Sequence, residues 1–342
     1  MSEMKTTNGS SKNLVLDIKD LTVHYVLEEE CVEAVNHISL QLEKGRIMGI
    51  VGETGAGKTS VCLSILNLIS SPPGVIKSGE ILLEGRDVLK MSTRELEKIR
   101  GNEVAMIFQD PMSSLNPVFS VGDQIAETIR IHQSCTENEA YQKAEEMLEL
   151  VGIPAYRSHE YPHQFSGGMK QRVVIAIALS CNPNLLLADE PTTALDVTIQ
   201  AQVLNMMVKL KKQLGTSMLF VTHDLGIVAE ICDEVAVMYA GRIIERGTLV
   251  EVFNHTKHPY TEGLFNSLPD IEKRTSMLKP IPGLMPDPTC LPAGCAFALR
   301  CPYARPECID TPQKERYFTE THSVMCSAYD DPTFHIEREE IE

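Results

Sequence analysis

The segment GETGAGKT, residues 52–59, decides the fold of this chain. It follows a short apolar stretch at 46–51 and precedes residues 59–69, whose apolar positions have helical spacing. Glycines let the backbone of such a loop curl so that several N–H groups point at phosphate oxygens. Lys58 would place a cation between the β- and γ-phosphates, and the Thr59 hydroxyl is suited to Mg²⁺. The segment therefore predicts a phosphate-binding loop, formed by Gly52, Glu53, Thr54, Gly55, Ala56, Gly57, Lys58 and Thr59, with Ser60 directly after it.

A second segment, LLLADEP at 185–191, fits the same kind of site. An apolar strand delivers Asp189 and Glu190 at its carboxyl end, where ligands bind in open α/β sheets. Asp189 is suited to a water-mediated contact with Mg²⁺, and Glu190 to polarising an attacking water. An Asp-Glu pair after a strand can also be an ordinary helix N-cap. The phosphate loop in the same chain favours the catalytic interpretation.

A third segment, FSGGMKQR at 165–172, predicts a second anion site. Ser166, Gly167 and Gly168 stand at the start of a helix that continues over 171–180, and a helix start attracts anions through its N–H groups and its dipole. One chain rarely needs two phosphate sites unless the second serves a neighbouring chain. Taken alone, this glycine pair would be an ordinary helix start.

The remaining pattern indicates two regions. Strands are predicted over 14–26, 38–42, 185–188 and 218–222, and helices over 123–131, 137–151 and 199–214, with Thr136 and Glu139 as a capping box. Proline becomes frequent after residue 256, where helical periodicity fades. We therefore expect a nucleotide-binding domain at 14–255, with a helical subdomain at about 110–180, and a Cys- and Pro-rich extension at 256–342.

The composition limits the classes to which the chain can belong. It has 342 residues, 43% hydrophobic and 23% charged, as in an ordinary globular protein. The formal net charge of −16 argues against non-specific binding to nucleic acid and against a polybasic contact with anionic lipid. The apolar runs fall far short of the roughly 20 residues that a membrane span needs, and residues 1–13 lack the apolar core of a secretory signal. We expect a cytoplasmic protein that reaches the membrane only through a protein partner.

Six elements together resemble the ATPases of ABC transporters. They are GETGAGKT, Gln109, FSGGMKQR, LLLADEP, TALD at 193–196 and His223, in the order and spacing of that family, and the resemblance covers residues 14–255. It implies an α/β fold: a P-loop NTPase of ABC type with a mixed sheet, a helical subdomain insertion and a small Cys-rich C-terminal extension. It also implies that ATP is sandwiched between two subunits, the phosphate loop of one facing the other's signature segment (residues 166–169: Ser166, Gly167, Gly168 and Met169).

The resemblance also assigns roles by position. Tyr25 would stack on adenine, although an ordinary strand aromatic is the alternative. Gln109 would sense Mg²⁺ and link the site to the transmembrane partner. His223 would bond the γ-phosphate, and Asp196 would couple the two sites. The catalytic residues would then be Glu190, His223 and Lys58, with Mg²⁺ held by Thr59, Gln109 and Asp189.

Further features are similar to the ATPases of dipeptide, oligopeptide and nickel importers. They are QDPMSSLNP at 109–117, HPYT at 258–261, Met169 in the signature segment and the cysteine-rich tail. Met169 resembles the first, or D-type, of the two different ATPases found in such complexes. The resemblance implies a heterodimeric ATPase pair, two permease subunits and an extracellular solute-binding protein, at the cytoplasmic face of the cell membrane. Its function would be to energise the import of peptides or a related small solute, with nickel as another possible cargo.

The cysteine tail needs its own explanation. Cys295, Cys301, Cys308 and Cys326 are spaced C-x5-C-x6-C-x17-C, without the close pair that usually begins a structural zinc site. Spacing alone leaves an iron–sulfur cluster, zinc and free thiols open. The resemblance to the extension of the peptide-importer ATPases implies a [4Fe–4S] site on these four cysteines. Cys290 lies outside the matching pattern, and His322 is a further candidate ligand.

Two other classes compete with a peptide importer. An ATPase of a sugar importer would carry a β-rich extension, whereas residues after 256 have few alternating strands and many cysteines. A soluble ABC ATPase in DNA repair or translation would generally carry two cassettes or a long coiled-coil insertion, and the acidic charge also argues against it. With Glu190 and His223 both present, a non-hydrolysing ATP sensor is disfavoured.

Overall fold

The computed structural model describes residues 13–193, 195–267 and 280–336. In these ranges the strands are β1 (Leu14–Val26), β2 (Cys31–Glu43), β3 (Ile47–Val51), β4 (Gly74–Leu83), β5 (Arg86–Asp87), β6 (Val104–Ile107), β7 (Leu185–Asp189), β8 (Ser217–Thr222), β9 (Glu234–Tyr239), β10 (Arg242–Thr248), β11 (Glu315–Tyr317) and β12 (Ser323–Met325). The helices are α1 (Lys58–Ile65), α2 (Thr93–Ile99), α3 (Pro111–Ser114), α4 (Val121–His132), α5 (Glu137–Leu150), α6 (Gly167–Leu179), α7 (Val197–Leu214), α8 (Leu225–Ile231), α9 (Leu249–Asn254), α10 (Pro259–Asn266) and α11 (Glu307–Asp310). The described strands form one four-stranded and one eight-stranded sheet.

The larger sheet is mixed, as the resemblance to ABC ATPases implies. Its strand order is β11-β12-β10-β9-β3-β8-β7-β6. The strands from β9 to β6 are parallel, whereas β10, β11 and β12 pair antiparallel. Every residue of β3, β7 and β8 is buried. Burial on both faces explains why these strands read as nearly continuous apolar runs without alternation.

The strand register brings three loops to one edge of this sheet. Val51 at the end of β3 pairs with Thr222 at the end of β8, and Asp189 at the end of β7 pairs with Val221. The residues that follow these strands therefore emerge side by side. Such a carboxyl edge is where open α/β sheets bind ligands.

Two apolar cores lie on opposite faces of the larger sheet. On one face, Leu187 and Leu219 share a core with Ile18 of β1 and Val61 of α1. That face is covered by the smaller sheet, whose order is β2-β1-β4-β5, and by α1. On the other face, strand residues such as Phe220 pack with residues of α4, α5, α6 and α7. The helical insertion thus supports the face opposite the smaller sheet.

The helix ends follow local capping signals. In α5 the Thr136 hydroxyl accepts from the Glu139 N–H and the Glu139 carboxylate accepts from the Thr136 N–H, which confirms the predicted capping box. The helix predicted over 59–69 ends earlier, at Ile65, and Asn67 just beyond it has a left-handed backbone with φ of 49°. The helix was predicted too long because apolar residues with helical spacing continue after Ile65.

The extension continues the larger sheet. Its described residues are 256–267 and 280–336, so part of its proline-rich stretch lies outside them. β12 pairs with β10, with Val324 opposite Glu245, and β11 pairs with β12. Strands of three residues are too short to give a period-two signal, which is why the sequence did not predict them. The extension is therefore packed onto the nucleotide-binding region through backbone pairing.

Candidate functional site

The phosphate loop connects β3 to α1, and its glycines are required by close backbone contacts. A Cβ at Gly52 would lie 2.1 Å from the Met238 carbonyl oxygen, and one at Gly57 would lie 2.1 Å from the Ala34 carbonyl oxygen. Gly57 also has a φ of 99°, which side chains other than glycine rarely adopt. The loop is therefore pressed against two neighbouring backbone segments, which fixes where its N–H groups point.

Lys58 is buried at the base of this loop. Its Nζ donates to the carbonyls of Gly52 and Glu53, at 2.7 and 3.0 Å. Burial lowers the pKa of Lys58, and the nearby Glu190, Asp189 and Glu53 carboxylates partly oppose that shift. The ammonium group thus lies in the field of three carboxylates, in the region where a polyphosphate would sit on the loop.

Thr59 and Asp189 form the part of the site suited to Mg²⁺. Asp189 is 2% exposed, and its carboxylate is hydrogen-bonded to the Thr59 side chain. Burial raises the pKa of Asp189, against the opposing influence of that hydrogen bond and of Lys58. A buried carboxylate whose charge is incompletely compensated, beside a hydroxyl, fits the oxygen ligands that Mg²⁺ prefers. The third predicted ligand, Gln109, lies at the same edge, but its Nε2 donates to Glu190 at 3.0 Å.

Glu190 receives hydrogen bonds from several sides. One carboxylate oxygen accepts from Gln109 Nε2 at 3.0 Å and from the Thr193 hydroxyl at 3.1 Å. The other lies 3.0 Å from Nδ1 of His223. Burial alone would raise the pKa of Glu190, but the contacts with His223 and Thr193 and the charge of Lys58 outweigh it and lower the pKa. The group is therefore an ionised carboxylate near neutral pH, as a general base requires.

Tyr25 lies beside the first turn of α1. Its hydroxyl is 3.1 Å from the hydroxyl of Ser60, one residue after Thr59. β1 carries Tyr25, so the smaller sheet supplies a half-buried aromatic ring next to the phosphate loop. This is the neighbourhood that the predicted adenine contact needs, and a base–ring contact would use the face of the ring.

The signature segment begins α6. Ser166 is the N-cap, and its hydroxyl accepts from the Met169 N–H at 3.4 Å. A Cβ at Gly168 would lie 2.5 Å from Ile199 Cγ2, whereas one at Gly167 would meet no atom within 4 Å. Packing thus requires glycine at position 168, whereas the space around the Cα of Gly167 is free of other protein atoms.

The predicted coupling residue also caps a helix. Asp196 Oδ1 accepts from the Ile199 N–H at 3.0 Å at the start of α7. Among the hydrogen bonds of the described residues, none joins residues 166–169 or Asp196 to the phosphate loop. The chain therefore carries two separate candidate anion sites, one on the loop at 52–59 and one at the start of α6.

The four tail cysteines line a single cavity. Its lining includes Cys295, Cys301, Cys308 and Cys326, together with His258 and Phe297. All ten cysteines fall in the described ranges, and none is disulfide-bonded. Burial, and then the neighbouring cysteines, raise the pKa of Cys301 to about 12 and that of Cys326 to about 11. Burial therefore favours the protonated form of these two thiols.

No three His, Cys, Asp or Glu side chains of the described residues are arranged to hold one metal ion. A single zinc ion needs all its ligands within roughly 2.0–2.3 Å of one point. A four-iron cluster is held by one thiolate at each iron, and the donor set around this cavity is four cysteines. His322 does not line the cavity, because its Nε2 lies 2.9 Å from the buried Glu245 carboxylate.

Sequence reasoning missed a role for His258. Its side chain is 1% exposed and lines the cysteine cavity. Nδ1 accepts from the Tyr260 N–H at 3.0 Å. Burial lowers the pKa of His258 to about 3, so the ring is neutral. His258 therefore contributes a buried, neutral ring to the wall of the cysteine cavity.

The phosphate loop, the Asp–Glu pair at the end of β7 and the histidine after β8 define a P-loop nucleoside triphosphatase. The chain matches the family model described as ABC transporter over residues 35–193 and that described as oligopeptide/dipeptide transporter, C-terminal region, over 244–308. It is 49% identical over 304 residues to the probable peptide ABC transporter ATP-binding protein y4tR of Sinorhizobium fredii, covering 88% of this chain and 91% of that protein. It is 50% identical over 315 residues to the oligopeptide transport ATP-binding protein OppD of Bacillus subtilis, covering 91% and 87%.

Solved structures give the same answer for the fold. The dimeric structure of a post-hydrolysis state of the ATP-binding cassette MJ0796 bound to ADP and Pi matches with a TM-score of 0.61 at 26% identity, covering 68% of this chain and 98% of that one. The structure of cbiO1 from Clostridium perfringens, part of the ABC transporter complex cbiONQ, matches with a TM-score of 0.61 at 27% identity, covering 71% and 91%. The chain therefore belongs to the ATP-binding subunits of ABC transporters, in their oligopeptide/dipeptide family. No helix within the described ranges has the length and apolarity to cross a membrane.

Proposed function

We propose that this chain hydrolyses ATP to energise the import of peptides across the cytoplasmic membrane. The observation that carries the proposal is the ionised Glu190 at the carboxyl edge of the sheet, bonded to His223 and Gln109 and close to the buried Lys58. Peptides are favoured as cargo because the relatives described above are named as peptide and oligopeptide transport proteins. Nickel or sugar import remains the alternative, and a soluble ABC ATPase acting on nucleic acid or ribosomes is the remote one.

In the proposed reaction, the phosphate loop binds the β- and γ-phosphates through its N–H groups and Lys58. Glu190 orients and polarises the attacking water, and its lowered pKa keeps the carboxylate ionised. His223 contacts the γ-phosphate, and Tyr25 stacks on adenine. Mg²⁺ would supply positive charge to the phosphates, held by Thr59 and Gln109 and, through water, by Asp189.

The signature segment is proposed to act on the ATP of a partner subunit. Its position at the start of the 13-residue helix α6 gives it N–H groups and a helix dipole suited to phosphate. Asp196 would couple the two sites across that interface. Support comes from the solved relative with bound ADP and Pi, which is dimeric.

The proposed complex contains a second, different ABC ATPase, two permeases and an extracellular solute-binding protein. This chain would be the D-type ATPase and would lie peripherally at the cytoplasmic face, touching the membrane only through the permeases. A net charge of −16 argues against nucleic acid as a partner. We also propose the division into an ATPase domain at 14–255, with its helical subdomain at about 110–180, and an extension at 256–342.

The cysteine cavity is proposed to hold a [4Fe–4S] cluster, with zinc as the alternative. Cys295, Cys301, Cys308 and Cys326 would be the thiolate ligands, and the positive iron would stabilise the thiolates that burial disfavours. The cluster would act as a structural clip for a proline-rich segment. Cys290 is exposed and outside the cavity lining, so it has no part in the proposal.

Gly167→Ala tests the role of the signature segment. The added Cβ meets no atom within 4 Å in this chain, and alanine is about 1 kcal/mol more favourable than glycine within a helix. Thermal unfolding of the chain should therefore be unchanged or slightly raised. In the assembled pair the Cβ would displace the partner's phosphates, and ATPase activity should fall about a hundredfold, as for a misplacement of about 1 Å. Unaltered ATPase activity would contradict a phosphate contact at this position.

Purification of the tagged chain from gently solubilised native membranes tests the proposed function as a whole. Mass spectrometry should identify two permeases, a second ABC ATPase and a solute-binding protein, and the bound solute would identify the cargo class. ATPase activity of the complex should rise when that solute is supplied. Recovery with ribosomes, with nucleic acid or without any membrane protein would overturn the transport function and leave ATP hydrolysis alone.

A further inference from the structure

An arginine of the extension lies directly against the phosphate loop. Arg300 Nη1 donates to Glu53 Oε2 at 3.0 Å and to the Tyr239 hydroxyl at 3.2 Å, and Nε donates to the Pro282 carbonyl at 2.9 Å. The Arg300 side chain is only 7% exposed. Since both ends of its guanidinium are held by the protein, Arg300 has one defined position, with its charge directed at Glu53.

A second residue of the extension holds the backbone of the same glutamate. The Glu53 N–H donates to the hydroxyl of Tyr260 at 3.0 Å, and Tyr260 is fully buried. Its ring packs against Tyr239 with a centroid distance of 4.6 Å. Both the side chain and the main chain of Glu53 are therefore fixed by α10 and by the segment that carries Arg300.

Glu53 would oppose ATP binding if its charge were not neutralised. Lys58 Nζ donates to the Glu53 main-chain carbonyl at 3.0 Å, so the Glu53 carboxylate lies on the same loop as a polyphosphate bound to that lysine. Two negative groups in one partly desolvated site repel each other strongly. The Arg300 guanidinium cancels this charge and ties the carboxylate to the extension.

We propose that Arg300 is a positioning residue for ATP: by pairing with Glu53 it removes a repulsive charge from the phosphate loop. The C-terminal extension then sets the affinity of the ATPase for its nucleotide. The proposal builds on the ATP site in the proposed function and assigns to the extension a role in nucleotide binding.

The test is Arg300→Ala in the full-length chain, by direct ATP binding and by ATPase kinetics in the assembled complex. We expect the ATP dissociation constant and KM to rise about tenfold, the range for losing one charged hydrogen bond, with kcat changed less than about twofold. Arg305→Ala is the matched control, because Arg305 belongs to the same extension but pairs with Asp331 at 3.1 Å. It should leave both constants unchanged.

Rescue separates charge neutralisation from general support. Adding Glu53→Gln to Arg300→Ala removes the repulsive charge and should restore most of the lost ATP affinity. Arg300→Lys keeps the positive charge, so its ATP dissociation constant should lie within about threefold of the wild-type value. This variant also serves as the test if Arg300→Ala does not fold. Arg300→Ala with unchanged ATP affinity, absence of rescue by Glu53→Gln, or a tenfold loss in Arg300→Lys would each overturn the inference. Failure of the wild-type chain to bind ATP would instead overturn the proposed function, and the inference with it.

Discussion

Glu190→Gln is expected to abolish ATP turnover while leaving ATP bound. Glu190 is an ionised carboxylate at the site, with hydrogen bonds from both His223 and Thr193 that lower its pKa. Glutamine keeps the shape and can still accept from Gln109 or Thr193, but it cannot take a proton from water. Removing a general base typically costs about 10²- to 10⁴-fold in rate, so kcat of the assembled complex should fall by at least about a hundredfold.

The measurement is steady-state ATPase activity beside equilibrium ATP binding in the same preparation. Glu97→Gln is a matched control, because Glu97 is an exposed glutamate on α2. It should retain wild-type turnover and binding. Wild-type turnover in Glu190→Gln would contradict the assignment of Glu190 as the general base. Loss of ATP binding would indicate that the substitution disturbs the structure of the site.

Cys301→Ser is expected to remove the metal group from the extension. Four thiolates hold a four-iron cluster at its corners, and serine is a poor ligand for it. The chain purified without oxygen should contain about four iron and four sulfide per chain, and the variant should contain little of either. Because the proposed group would order a proline-rich segment, the variant should also unfold at a lower temperature.

Cys290→Ser is the matched control for this experiment. Cys290 lies in the same tail but is exposed and absent from the cavity lining, so its replacement should leave the iron content unchanged. Stoichiometric zinc without iron in the wild-type chain would refute the cluster and support the zinc alternative. Equal loss of iron in both variants would contradict the choice of ligands.

Much of the ATP site was predictable because its determinants are local in sequence. The glycines of the phosphate loop follow from a backbone that curls within six residues, and the structure adds only the two carbonyls that exclude a Cβ at Gly52 and Gly57. The fully buried β3 and β7 are readable as apolar runs, and parallel strands meet with their carboxyl ends together. The sequence therefore predicted that Asp189 and Glu190 would lie at the ligand-binding edge, whereas the family resemblance assigned His223 to the site.

Boundaries and the predicted Mg²⁺ ligands were less predictable. The helix after the phosphate loop stops at Ile65 although apolar periodicity continues, because a left-handed residue follows at Asn67. Gln109 is hydrogen-bonded to Glu190, while Thr59 and Asp189 contact each other. The hydrogen-bond partner of each of these side chains depends on which groups lie next to it in the folded chain. Spacing along the sequence does not specify those neighbours.

The sequence by itself predicted the candidate catalytic residues Lys58 and Glu190, an α/β nucleotide-binding fold and the gathering of four cysteines in one tail. Only the tertiary structure showed how the extension contacts the rest of the chain. Short strands without a periodic sequence pattern pair the extension with the larger sheet. His322 contacts the Glu245 carboxylate, and Arg300 bonds Glu53, which lies 247 positions earlier in the chain. Local motifs can be predicted from the sequence because residues close to one another in the chain set their geometry. Contacts across such separations are set by packing of the whole fold, so they become visible only when the chain is folded.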